Sequence, residues 1–204
     1  MPVQEDGLLL LLYKQVPTMQ TSHTASTLSR QPALLSVTTE GYETFFVRLM
    51  DIVRHQPIDQ ALGQRIQSYV TDWLASHTLA DFATTSTTSY VRNYLGRCPE
   101  THWEAILMSW QQGNTTAIHS HPQFAGYFFA DGVFEVEIFE PVEENKVRLA
   151  KRVRVNEPTA FFAIGDAERF DNHIHRITCL SDRGHSLHVY SDDALQGKTY
   201  LLSE

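Results

Sequence analysis

From residue 89 onward, apolar and polar residues alternate in ten short stretches, and no segment between them carries helical spacing. A strand sends successive side chains to opposite faces, so a period of two predicts strands with one buried face. The stretches are 89–94, 105–111, 115–121, 126–130, 133–140, 147–156, 160–164, 173–179, 185–190 and 199–202. Many short strands at regular intervals, with no helix to serve as a parallel crossover, predict a closed antiparallel barrel or sandwich. Asp131-Gly132, between two of the runs, reads as a hairpin turn.

The region before residue 89 has a different period. Phe45, Phe46, Leu49, Met50 and Val53 recur at helical spacing, as do Ile66, Tyr69, Val70, Trp73 and Leu74. Gln56-Pro57 breaks the first helix, and a Ser/Thr run over 84–89 ends the helical region. Residues 14–39 are dense in Thr, Ser, Gln and Pro without periodicity, so 1–38 read as a mobile leader. The remainder, 39–204, reads as one domain: a helical layer over 39–84 and a barrel over 85–204. The apolar run 8–12 follows Glu5 and Asp6, has no basic flank and is too short to span a bilayer, so neither a signal peptide nor a membrane helix is expected.

A formal net charge of −8 argues against a nucleic-acid or anionic-membrane partner, because neither polyanion is drawn to such a field. A small soluble ligand is expected instead, on a monomer or weak homo-oligomer. Two cysteines, Cys98 and Cys179, are too few for a disulfide framework or a thiolate zinc cluster, which fits a reducing cytoplasm. Both read as idle or buried thiols.

Histidines carry the chemistry. On a regular strand His119 and His121 point the same way, which is half of a metal site. His173 and His175 compete for a third position, since a regular strand puts both on one face. Three neutral imidazoles leave a divalent ion its full 2+ charge, which favours an anionic soft ligand such as a thiolate. Arg92 is always charged, and its fork matches a carboxylate, so facing a metal it serves as a substrate clamp; Tyr90 shares its face. Tyr190 can donate to a carboxylate, and His188 and Ser186, two and four residues before it, form a relay that holds its hydroxyl. Trp110 and Phe128 read as barrel wall; His23, His55, His77 and His102 have no partner pattern.

The segment Gly113-x5-His119-x-His121 resembles the first motif of the cupin superfamily, without the glutamate that usually follows, since 122–126 read Pro-Gln-Phe-Ala-Gly. Tyr90-Val91-Arg92-Asn93, His119-Ser120-His121, His175-Arg176-Ile177 and Ser186-Leu187-His188-Val189-Tyr190-Ser191 together resemble the thiol dioxygenases, most closely bacterial cysteine dioxygenase, over residues 85 to 195. The resemblance implies a mainly β cupin barrel (a double-stranded β-helix, or jelly roll) with N-terminal α-helices. It implies a mononuclear Fe(II) on His119, His121 and His175, with O2 as co-substrate. Arg92 and Tyr90 would bind the carboxylate of a small thiol, and Ser186, His188 and Tyr190 would form the catalytic strand. The reaction implied is oxidation of L-cysteine to cysteine sulfinate, a step of cysteine catabolism. Iron and Arg92 would both favour the ionised form of Tyr190. The cysteine that cross-links to the tyrosine in animal relatives matches Gly126, so no thioether is expected, and Ser120 stands where an acidic residue is usual. A 3-mercaptopropionate dioxygenase shares this site but is expected to place its clamp elsewhere, with Arg169 or Arg176 available. A non-catalytic metal- or ligand-binding cupin and an oxygen-independent cupin isomerase or hydrolase are the further readings.

Overall fold

A computed structural model describes residues 34–36 and 41–203 of the chain. Two helices come early: α1 (Tyr42–Val53) and α2 (Gln60–Ser76). The Asp59 carboxylate caps α2 by accepting from the Leu62 N–H at 2.8 Å, which satisfies one of the donors a helix start leaves open. The apolar stripes seen in the sequence form one buried ridge of Phe45, Leu49, Val53, Leu62, Ile66 and Val70. Gly63 lets α2 approach the sheet, because a Cβ there would stand 2.2 Å from the ring of Phe162.

Eleven strands are described: β1 (Leu34–Ser36), β2 (Val91–Arg97), β3 (Glu104–Gln111), β4 (His119–His121), β5 (Phe124–Asp131), β6 (Phe134–Glu143), β7 (Lys146–Val155), β8 (Thr159–Ile164), β9 (Asn172–Cys179), β10 (Arg183–Tyr190) and β11 (Leu201–Leu202). They form a six-stranded sheet in the order β1-β2-β3-β10-β5-β8 and a five-stranded sheet in the order β11-β7-β6-β9-β4. Every pairing is antiparallel except β1 with β2 and β11 with β7. From β3 onward the chain passes from one sheet to the other at almost every connection, which winds it into a cupin-type double-stranded β-helix.

Alternation in the central strands separates two cores. Ala105, Leu107, Phe124, Phe128, Leu187 and Val189 face outward and pack under the helices. Ile106, Met108, Trp110, Ala125, Tyr127, Phe129 and Tyr190 face the barrel interior. Phe128 therefore packs the helical side of the wall. Each of these buried large apolar side chains contributes about 1.5–3 kcal/mol relative to exposure. A strand slipped by one residue would exchange the two sets, so the helical layer also holds the register that aims the interior residues.

Several expectations change in three dimensions. The run 115–121 forms a strand only over His119–His121, with Thr115 making an isolated bridge to Thr178. Asp131-Gly132 is not a hairpin: β5 and β6 belong to different sheets, and the turn, with Gly132 at φ 84°, is a corner between them. The hairpin lies between β6 and β7, which pair from Glu143 opposite Lys146 across a turn with Asn145 at φ 60°. Residues 34–36, expected within the leader, pair with Arg92, Asn93 and Tyr94 of β2; the rest of that leader lies outside the described residues, as does His23. No described helix is long and apolar enough to cross a membrane.

Candidate metal centre

His119 and His175 sit directly opposite each other on β4 and β9. His121 follows on the same interior side, and the ligand-capable atoms of the three lie within 4.8 Å of one another. Three nitrogens bound to one ion at about 2.1 Å stand roughly 3–3.6 Å apart, so closure needs the rings to draw together by about an ångström, within the reach of side-chain rotation. The Nδ1–H of His119 faces the Ala117 carbonyl at 2.9 Å, and that of His121 faces the His173 carbonyl at 3.2 Å. These bonds select the tautomer that leaves Nε2 as a lone pair. The Nε2 atoms of His121 and His175 are buried without a hydrogen-bond partner, a cost that an ion would remove. The donor set therefore fits a metal, and imidazole suits iron, zinc, copper and nickel alike.

Desolvation keeps this cluster neutral. It lowers His119 to about 4, holds His121 and His175 well below the ordinary imidazole range, and lowers His188 to about 3. The rings are thus ready to bind a cation at neutral pH.

His173 does not join the cluster. Its backbone adopts φ 55°, and the β4–β9 register shifts at this point, with His119 opposite His175 but His121 opposite Asn172. The irregularity cancels the alternation that would have put His173 and His175 on one face. The His173 ring Nε2 lies 3.2 Å from the Gln123 carbonyl, while its own carbonyl orients His121.

Arg92 and the Ser186, His188 and Tyr190 series face the same interior. Arg92 pairs with Met108, which pairs with Ser186, so register alone aligns them across three strands. Arg92 is 6% exposed, its Nε has no partner, and no carboxylate of the described residues is within ion-pair distance. Its charge acts on His119, His188 and Tyr190, which places the guanidinium among them. The neighbouring Asn93 points outward and fixes β2, donating to the Leu107 carbonyl at 3.2 Å and to Ser109 Oγ at 2.9 Å.

The relay is longer than the sequence indicated. Trp110 Nε1–H donates to Ser186 Oγ at 2.8 Å; Ser186 Oγ is 2.7 Å from His188 Nε2; and His188 Nδ1 is 2.9 Å from Tyr190 Oη. Trp110 can only donate, so the serine hydrogen is left to point at His188 Nε2. His188 then carries its proton on Nδ1 and donates to Tyr190, which frees the tyrosine hydrogen for a ligand. Trp110 also stacks on Tyr90, with ring centroids 4.6 Å apart. In the metal-free protein desolvation raises the Tyr190 pKa, and the opposing charge of Arg92 does not offset it.

Three other residues are relocated. Tyr190 pairs with Ala125, whereas Gly126 pairs with Val189 and looks toward the helices, where a Cβ would meet the Phe128 ring at 2.9 Å. The side chain facing Tyr190 is therefore a methyl group at 125. Arg176 lies on the outside of β9, where its Nε donates to Glu137 at 2.6 Å. Arg169 is tied to Asp171 at 2.8 Å and Asp166 at 3.0 Å. Neither arginine is available as an alternative clamp in this arrangement.

The sequence reading missed Tyr127 and Glu104. Tyr127 stands edge-on to His175 at 4.8 Å and to His121 at 5.7 Å. Its pairing with His188 places it there, and only the alternation of Ala125, Tyr127 and Phe129 hinted at it. Glu104, 2% exposed, accepts from Tyr94 Oη at 3.1 Å and the Ala194 N–H at 2.9 Å, which ties the turn Ala194–Gln196 to the barrel end. Ser120 donates to the Phe170 carbonyl at 2.6 Å and accepts from the Lys198 N–H at 3.0 Å, bracing β4 from behind. Cys98 and Cys179 are both free thiols; His55, His77 and His102 lie outside the cluster.

The profile of the family described as Cysteine dioxygenase type I matches residues 31–200. No curated protein sequence matches the chain. Among solved structures, an uncharacterized conserved protein with a double-stranded β-helix domain from Klebsiella pneumoniae is similar at 10% identity and TM-score 0.45, over 61% of this chain and 96% of that one. A cupin superfamily protein from Desulfitobacterium hafniense is similar at 13% identity and TM-score 0.42, over 56% of this chain and 88% of that one.

Proposed function

This chain belongs to the cysteine dioxygenase type I family, and on that premise we propose that it is an Fe(II)-dependent thiol dioxygenase that oxidises L-cysteine with O2 to cysteine sulfinate. The observation that carries the reading is Arg92: a buried guanidinium whose Nε has no hydrogen-bond partner and which makes no ion-pair contact among the described residues, in the same interior as three histidines whose ligand atoms lie within 4.8 Å of one another. Leaving a charge unpaired inside a protein is costly, and a substrate carboxylate repays it with charge-assisted hydrogen bonds. The substrate thus carries a carboxylate and, because the histidines are neutral, a sulfur that binds as thiolate.

His119, His121 and His175 would hold the iron, which when bound supplies the redox chemistry between O2 and a thiolate that side chains cannot. Arg92 fixes the carboxylate end and so orients the sulfur toward the histidines. Tyr190, held by His188, Ser186 and Trp110, presents its hydroxyl hydrogen to the substrate rather than to the protein. The neutral, buried walls favour the thiolate paired with cationic groups and keep bulk water out. The thiol loses its proton and both oxygen atoms of O2 end on sulfur.

Arg92 also favours cysteine over 3-mercaptopropionate, because Arg169 and Arg176 are engaged elsewhere. The test is O2 uptake by Fe(II)-loaded protein with each thiol, with products identified by mass. A gain of two oxygen atoms on cysteine is expected; preference for the other thiol would overturn the substrate assignment, and no uptake with either would leave a non-catalytic metal-binding cupin.

A further inference from the structure

The interior around His175 has two chemically different sides. Toward β2 and β10 stand Arg92, Tyr90, His188 and Tyr190, all able to charge or to hydrogen-bond. Toward the gap between β6 and β8 lies a pocket lined by Tyr127, Val136, Ile138, Phe161, Phe162 and Ala163, with His175 as a further wall. It is a small cavity of about 20 Å³, partly open to solvent. β8 is the edge of the six-stranded sheet and β6 lies in the middle of the other, so the pocket sits where the two sheets part.

We propose that this pocket is the entry and holding site for O2, separate from the side on which the charged thiol meets Arg92. The inference rests on the dioxygenase reading above. Dioxygen is small, uncharged and a poor hydrogen-bonding partner, so a small, largely apolar cavity can hold it without the loss of hydrogen bonds that a charged ligand would suffer. A zwitterionic amino acid would leave its hydration here and find no ionic partner, because the lining contains none. Tyr127 links the pocket to the histidines: its ring is 5.6 Å from Phe161 and 4.8 Å from His175. Two substrates of different polarity would thus reach one centre past different walls of the interior.

The test combines xenon-pressurised crystals with kinetics at varied O2, using wild type and the pocket-filling variants Val136→Phe and Ala163→Leu. Xenon density is expected between Val136, Ile138 and Phe161 in wild type and not in the variants. The variants should raise KM for O2 roughly five-fold with KM for the thiol and iron content unchanged. Absence of xenon from the wild-type pocket, or an unchanged KM for O2 in either folded variant, overturns the inference alone. Iron-loaded wild type that consumes no O2 with any thiol defeats the functional reading and this inference with it.

Discussion

Residues 175 and 176 are neighbours on β9, yet they belong to two polar clusters built on opposite principles. Outside the barrel, Arg176 and Arg152 both bond Glu137, at 2.6 and 2.8 Å, and the carboxylate is 3% exposed. Desolvation pushes the Glu137 carboxyl up, and the hydrogen bonds and charges of Arg176 and Arg152 more than reverse it, holding it below the ordinary range. Arg176 also lies over the Phe139 ring at 5.8 Å. Inside, His175, His121 and Arg92 keep nitrogens without protein partners. The outer cluster satisfies itself and so contributes to stability; the inner one is complete only with something from outside the chain. Unsatisfied buried polar groups are rare, and their concentration at one centre marks the site more sharply than burial or charge alone.

The contrast is tested most strongly by changing the two neighbours in turn. His175→Ala should abolish O2 uptake and remove most bound iron by elemental analysis, whereas Arg176→Ala should keep its iron and remain within about two-fold of wild-type kcat/KM. An Arg176→Ala protein without iron would collapse the distinction.

Arg92→Ala should come next in size. Loss of a charged hydrogen-bond partner worth about 1.5–3 kcal/mol corresponds to roughly a ten- to hundred-fold rise in KM for cysteine, with iron content unchanged. Unchanged steady-state kinetics would remove Arg92 from the site.

On the outer face, Glu137→Gln should lower unfolding free energy by about 1–2 kcal/mol in urea titration, less than for a fully buried pair because both arginines are partly exposed to solvent. kcat should stay near wild type; a large fall would connect the two clusters.

The metal-free protein should also show a pH dependence of stability. His119 and His173 titrate at about 4 when folded and His188 at about 3, against 6.5 for free imidazole. Between those values the unfolded chain binds more protons, so stability should be full above about pH 6.5 and fall as pH drops toward 4. Thermal melts in that window should show the decline; a flat melting temperature would mean that these rings are not buried neutral.

Much of this arrangement was legible in the chain. Period-two alternation located ten of the eleven strands, because a strand with one buried face writes its geometry into side-chain order. The helices were legible through Phe45, Leu49, Ile66 and Val70 for the same reason at a different period. The His-x-His pair, the Arg92 strand and the Ser186, His188 and Tyr190 spacing were local patterns, so they too could be read directly.

What stayed hidden depended on contacts between distant segments. Asp131-Gly132 has the composition of a hairpin turn, but which sheet receives β6 depends on its pairing with β9, more than 30 residues away. The choice of His175 over His173 depended on one left-handed backbone angle and a register shift, which alternation cannot foresee. Ala125 rather than Gly126 faces Tyr190 because β5 aligns with β10 in that register. The sequence by itself determined which residues are capable of chemistry and which face of each strand they share. Tertiary structure decided which of those faces meet, because a site is a set of distances between strands, and those are set by packing and register rather than by any one strand's own residues.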